Sequence, residues 1–248
     1  MEPPLLPLLL GAAFGGLVQG LSGFAFGLVA LTVWSWVMEP QVAGPLVVFC
    51  SFLGQLLGLP ALRQKRAGMG RALPFLLGGA LGVPLGVAAL RVIDPAGFKL
   101  ALGLLLVLWC PAMLLMRHPP RIGVGGRLAD ALAGLGGGIM GGLGGLSGPL
   151  PILWCTLRGW PRDEQRGVSQ LFNLAMHGLT MAAYVATGTV DTAFLPLFAM
   201  VTPAMLLPAL LGGWLYRRSS DALFRRIVLA LLTASGLVLL GSSLPRLP

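Results

Sequence analysis

Apolar residues fall in eight stretches, at about 5–37, 41–60, 72–90, 97–116, 128–157, 168–188, 193–216 and 222–244, with most charged residues in the short segments between them. A hydrocarbon core about 30 Å thick is crossed by roughly 20 residues of α-helix. The pattern therefore predicts an all-α integral membrane protein. Two stretches are too long for one crossing: as a straight helix, 5–37 would run about 50 Å at about 1.5 Å per residue. Both long stretches are interrupted by glycine, through Gly11, Gly15, Gly16, Gly20, Gly23 and Gly27 in the first and between Gly134 and Gly148 in the second. Each is expected to be a discontinuous helix or a hairpin of two half-helices. Hydropathy alone leaves open whether 5–37 turns back or crosses once.

Charge refines this picture. With the N-terminus inside and eight simple crossings, the Lys and Arg residues divide into eight on one side and nine on the other. If 128–157 returns to the side it left, fourteen lie on one side and only Arg91, Lys99 and Arg246 on the other. Cytoplasmic loops carry the Lys and Arg excess in membrane proteins, which favours the hairpin over 128–157. The opening Met1-Glu2-Pro3-Pro4 lacks a basic region, so no cleaved leader is expected.

The chain also resembles itself. At an offset of 125, Gly16 and Gly20-Leu21-Ser22-Gly23 fall on Gly141 and Gly145-Leu146-Ser147-Gly148; at 126, Gly86, Arg91, Ala96 and Phe98 fall on Gly212, Arg217, Ala222 and Phe224. Two matches in the same order predict one membrane domain over 1–248, made of a first repeat at 1–120 and a second at 121–248. Each half would hold one glycine-broken hairpin or discontinuous helix and three transmembrane helices. An odd number of crossings turns the second copy over, giving an inverted repeat, a plan common in secondary transporters.

These residues resemble a known family. The GLSGF and GLSGP segments, Arg63-Gln64-Lys65-Arg66 before a proline- and glycine-bearing span, and Phe172-Asn173 followed by Tyr184, Gly188, Val190 and Asp191 are similar to the TauE/SafE family, the sulfite exporter or TSUP transporters. The resemblance implies a bacterial inner-membrane, multi-pass protein that moves small anions such as sulfite, sulfoacetate or other organosulfonates. Pro149 stands where the first half has Phe24, so the two breaks need not contribute equally.

Composition agrees with a membrane solvent. Hydrophobic residues make up 56% and charged residues 10%, with a mean hydropathy of +0.87, far outside the soluble range. The net charge of +9 sits in connections, where it orients the chain and meets anionic lipid rather than nucleic acid. Cys50, Cys110 and Cys155 are isolated and read as packing residues, so neither a disulfide framework nor a metal site is expected. No cofactor motif is present: Gly136 to Gly141 fits GxGxxG but has no preceding strand, and there is no Walker A segment.

The candidate chemistry gathers at the breaks. Unpaired N–H groups at helix starts favour an anion, and serine adds a hydroxyl, so Ser22, Gly23, Phe24, Ser147, Gly148 and Pro149 are candidate substrate-binding residues. Gly11, Gly27, Gly134 and Gly138 read instead as close-packing positions. Ser169, Asn173, His177, Thr180 and Tyr184 recur at helical spacing and form a polar stripe that belongs inside the bundle. Asn173 is a candidate ligand; His177 is either a carrier of a coupling proton or a hydrogen-bonded core residue. Ser51 and Gln55 are candidates on the matching first-half span. Pro84, Pro203 and Pro208 read as kinks, and Trp34, Trp36, Trp109, Trp154 and Trp160 as interfacial anchors. The expected partners are a small anionic substrate, protons and membrane lipid. The rival reading is an intramembrane enzyme or lipid-binding protein, with His177 and Asn173 as catalytic or head-group contacts.

Overall fold

The computed structural model describes residues 4–63, 69–115, 122–216 and 221–243. Within them the chain forms ten α-helices and one turn of 3₁₀ helix, Thr192–Phe194. Both overlong stretches break where glycine interrupts them. Helix α1 (Leu5–Ser22) gives way to α2 (Phe26–Trp34), and α6 (Gly126–Gly144) to α7 (Pro149–Leu157).

In each case the short helix folds back along the long one. Trp34 Nε1 at the end of α2 donates to the Leu8 carbonyl near the start of α1 at 3.1 Å, and Phe26 packs on Gly15. This is hairpin 1. In hairpin 2, Trp154 Nε1 of α7 donates to Asp130 Oδ1 of α6 at 2.7 Å, and Ile122 N–H reaches the Leu157 carbonyl at 2.8 Å. The expectation that Trp34 is an interfacial anchor is corrected here: it is fully buried. Gly11 has no side chain, so the indole lies over its backbone and finds a carbonyl for its N–H, as a buried tryptophan requires.

The remaining helices are α3 (Pro40–Arg63), α4 (Met69–Val92), α5 (Pro95–Leu115), α8 (Arg162–Ala186), α9 (Leu195–Tyr216) and α10 (Asp221–Ser243). The main pairings are α4 with α6, α1 with α9, α5 with α10, and α3 and α4 with α8. Glycine sets two of these contacts. A Cβ on Gly78 would lie 1.9 Å from the Ala131 carbonyl oxygen, one on Gly138 2.2 Å from that of Gly79, and one on Gly16 2.3 Å from that of Met205. Backbones meet there directly, which is how helices gain packing energy where lipid gives no hydrophobic drive between them. Gly11, Gly27 and Gly134 also meet neighbouring groups closely, as their reading as packing positions expects.

Five helical segments among the described residues are long and apolar enough to cross a membrane: Leu5–Ser22, Pro40–Gly58, Gly70–Val92, Pro95–Leu115 and Thr192–Leu215. The outward faces suit lipid; Leu73, Leu77, Leu81 and Leu85 form an exposed stripe on α4. Helix α8 is long enough but carries charge in its first turns and the buried polar stripe within, so its hydropathy is low. Prolines 84, 203 and 208 lie inside continuous helices. The loop Gln64-Lys65-Arg66, Arg117, Arg121, Arg217, Arg218 and Arg246, and the side chains of Arg63, Arg162, Arg225 and Arg226, fall outside the described residues.

Candidate functional site

Helix α1 ends because Gly23 turns left-handed at φ 85°, a conformation glycine adopts without strain. Of the donors that follow, the N–H groups of Phe24, Ala25 and Phe26 are met locally, while those of Gly27 and Leu28 in the first turn of α2 take no acceptor among the described residues. Ser22 Oγ accepts from Phe24 N at 3.4 Å and Ala25 N at 3.2 Å and donates to the Val18 carbonyl. Gln19 Oε1 accepts from Phe26 N at 3.1 Å. The Gly23 carbonyl receives Gln55 Nε2 at 2.9 Å and Gln19 Nε2 at 3.4 Å. The turn of hairpin 1 at Phe24 to Phe26 is thus self-capped, and the hydroxyl of Ser22 is committed to its own hairpin.

The tip of hairpin 2 is different. Gly145 ends α6 at φ 71°, and Ser147 lies fully buried in the break. Its hydroxyl donates to Asn173 Oδ1 at 3.2 Å and stands 3.5 Å from His177 Nε2. Among the described residues the N–H groups of Ser147, Gly148 and Leu150 take no acceptor, while Pro149 and Pro151 have none to offer. Ser147 and Gly148 are buried residues, and buried N–H groups without partners are rare in proteins.

The two GLSG segments are therefore not alike in place. Gly20 to Ser22 is the last turn of α1, with Gly23 as its cap; Gly145 is the cap of α6, and Leu146 to Gly148 lie in the break. Yet the breaks meet. A Cβ on Gly148 would lie 3.3 Å from the Phe24 ring and 3.2 Å from Asn173 Nδ2, and Gly27 stands against Leu146 and the Gly145 carbonyl.

The stripe on α8 faces this junction and α3. Gly44 lies against Tyr184, Gly178 against Phe52 and Gly58 against Gln170, so α3 and α8 run antiparallel. That register puts Gln55 level with Asn173 and Ser51 level with His177 and Thr180. All five are buried. Among the described residues, Ser51 Oγ, Gln55 Oε1, Ser169 Oγ, His177 Nδ1 and Thr180 Oγ1 have no hydrogen-bond partner. Tyr184 differs: its hydroxyl donates to the Gly142 carbonyl at 2.6 Å and pins α8 to α6. The structure thus joins Ser147, Gly148, Phe24, Asn173 and His177 directly, sets Ser51 and Gln55 alongside, and ties Gly23 to Gln55.

Two polar residues of consequence were passed over in the sequence. Gln19 is buried and organises hairpin 1; its signal is an amide in the middle of an apolar stretch. Asp130 is buried and clasps hairpin 2; its signal is that it is the one acidic residue of 128–157. Among the described residues no three His, Cys, Asp or Glu side chains converge as a metal site would require.

Compared with known protein families, residues 8–239 match the one described as Sulfite exporter TauE/SafE. Comparisons with curated proteins and with solved structures return no match.

Proposed function

The chain belongs to the sulfite exporter TauE/SafE family, and on that footing we propose that it is a secondary transporter or facilitator of sulfite, sulfoacetate or another organosulfonate across a bacterial inner membrane. It is a multi-pass membrane transporter of a family that carries anions such as sulfite, and not an enzyme. The rival reading of an intramembrane enzyme falls with that.

One observation carries the assignment of the site. Among the described residues, the N–H groups of Ser147 and Gly148, just ahead of α7, take no acceptor, and both residues lie beside the Asn173 amide. Such donors, at the positive end of a helix, suit an oxyanion. The oxygens of a sulfite or sulfonate group would take these N–H groups and Asn173 Nδ2, with no formal positive charge required. Ser51, Gln55 and Thr180 line the opposite wall with unmet polar atoms. The self-capped tip of hairpin 1 serves as the other jaw through Gly23 and Phe24, while Ser22 holds that jaw's shape. His177 is the titratable side chain of the cluster and the candidate carrier of a coupling proton.

Two halves, 1–120 and 121–248, related by inversion, complete the proposal. The reciprocal helix contacts support it. Gly16 meets Met205 as Gly138 meets Gly79; Gly20 meets Ala209 as Gly142 meets Val83; Gly212 meets Leu17 as Gly86 meets Ile139. Each correspondence steps 122 residues from α1 to α6 and 126 from α4 to α9. The later offset equals the one read from sequence, and 122 replaces 125 for the hairpins, matching Gly23 to Gly145.

The test is uptake of sulfite, sulfoacetate and a simple carboxylate into proteoliposomes, with and without a proton gradient. We expect sulfur oxyanions to be moved in preference to the carboxylate. No transport of any anion would overturn the proposal.

A further inference from the structure

A second polar feature lies away from the buried cluster, where α4, α6 and α8 begin. A cavity of about 550 Å³ opens there, lined by Arg71, Arg127 and Arg158 with Asp130 and Trp160. Asp130 is its one lining carboxylate and accepts the Trp154 indole N–H; Glu164, outside the lining, pairs with Arg71, so three arginines stand against two carboxylates. Arg127 and Arg158 make no ion pair among the described residues. Arg158 Cζ lies 6.0 Å from the Trp154 ring centre and 5.9 Å from that of Trp160, and Arg71 Cζ lies 5.2 Å above Trp160. The tryptophan faces hold these guanidinium groups in place by cation–π attraction; Arg71 is already bound to Glu164, while the N–H groups of Arg158 are left able to meet an anion. Guanidinium is the group that matches a planar pair of oxyanion oxygens.

The cavity is joined to the buried cluster by aromatic rings. Trp160 stands edge-on to Phe75 at 6.0 Å between centres, and Phe75 to Phe172 at 6.5 Å. Phe75 and Phe172 are fully buried. Phe172 precedes Asn173, and its ring and the Ser147 carbonyl both press on Gly137. Three rings therefore separate a basic mouth from the donors of hairpin 2.

We propose that this arginine-lined cavity is a second binding site for the transported sulfur oxyanion, a vestibule that collects it on one face of the membrane, and that Trp160, Phe75 and Phe172 form the closed barrier between vestibule and central site. The inference rests on the transport reading above. A low-dielectric cleft with surplus positive charge concentrates anions and raises their rate of capture. The barrier keeps that attraction from becoming an open channel.

The test is sided transport of sulfite by the full chain in oriented proteoliposomes, comparing the wild type with Arg127→Gln and Arg127→Lys. Arg127 is exposed, so its replacement leaves the core intact. We expect Arg127→Gln to raise KM about threefold to fivefold from the vestibule face, with kcat and the KM from the other face unchanged and the difference shrinking at high salt. Arg127→Lys, which keeps the charge and loses the guanidinium fork, should restore part of the loss. Equal KM values for wild type and Arg127→Gln from both faces would overturn the vestibule. So would an effect that vanishes in vesicles of phosphatidylcholine alone, since the cavity would then hold an anionic lipid head group. A wild-type protein that moves no anion removes the transport reading and this inference with it, whereas normal wild-type transport with a silent Arg127→Gln removes only the vestibule.

Discussion

Gly148 faces Phe24 so closely that a Cβ on the glycine would lie 3.3 Å from the ring, with Asn173 Nδ2 at 3.2 Å on its other side. The two hairpin tips meet here, and a methyl group fits only if a neighbour gives way by a few tenths of an ångström. Gly148→Ala should therefore part the tips or push Asn173 aside, a strain of about 1–3 kcal/mol. The expected result is a rise of tenfold or more in the KM for sulfite with the protein still folded in detergent. Unchanged KM would mean that the tips do not bracket the anion.

Asn173 and Ser22 separate binding from scaffolding. Asn173→Ala removes a donor to a charged ligand, worth about 1.5–3 kcal/mol, and should weaken sulfite binding by at least tenfold. Ser22→Ala removes only a cap, at about 1 kcal/mol of stability, and should leave KM within twofold. Titration calorimetry and thermal unfolding of the purified variants distinguish the two. A normal Kd for Asn173→Ala would remove that residue from the site.

His177 is the titratable member of the cluster. If protons drive transport through these groups, His177→Gln should bind sulfite yet respond no longer to an imposed pH gradient. Flux that still follows the gradient as in the wild type would place coupling elsewhere.

Trp34 tests the closure of hairpin 1. Trp34→Phe keeps the ring over Gly11 but loses the N–H bond to Leu8, and should cost about 0.5–1.5 kcal/mol. Trp34→Ala should cost about 3–5 kcal/mol. Both should appear as lowered Tm in detergent, the second as loss of protein from the membrane. A stable Trp34→Ala protein would mean that the hairpin is held by other contacts.

Much of this architecture is legible in the chain. Length against bilayer thickness exposes the two discontinuous helices, and helical spacing puts Ser169, Asn173, His177 and Thr180 on one inner face. What is hidden is local hydrogen-bond bookkeeping. Both GLSG segments carry the same letters, yet one closes a helix and the other lies in a break, because Gln19 and Ser22 cap the first tip while Pro149 starts the next helix in the second. A tryptophan near the end of an apolar run reads as an anchor until the glycine opposite it is known, as with Trp34 and Gly11.

The glycine contacts between α1 and α9 also set the order in which the protein can be completed during synthesis. Gly16 and Gly20 on α1 are shaped to meet Met205 and Ala209 on α9. Helices α2 to α8 are made between α1 and α9, so the small-residue face of α1 waits for its partner while they are made. A ribosome stalled before α9 would leave that face unpaired, and the quality-control proteases of the membrane would meet it there.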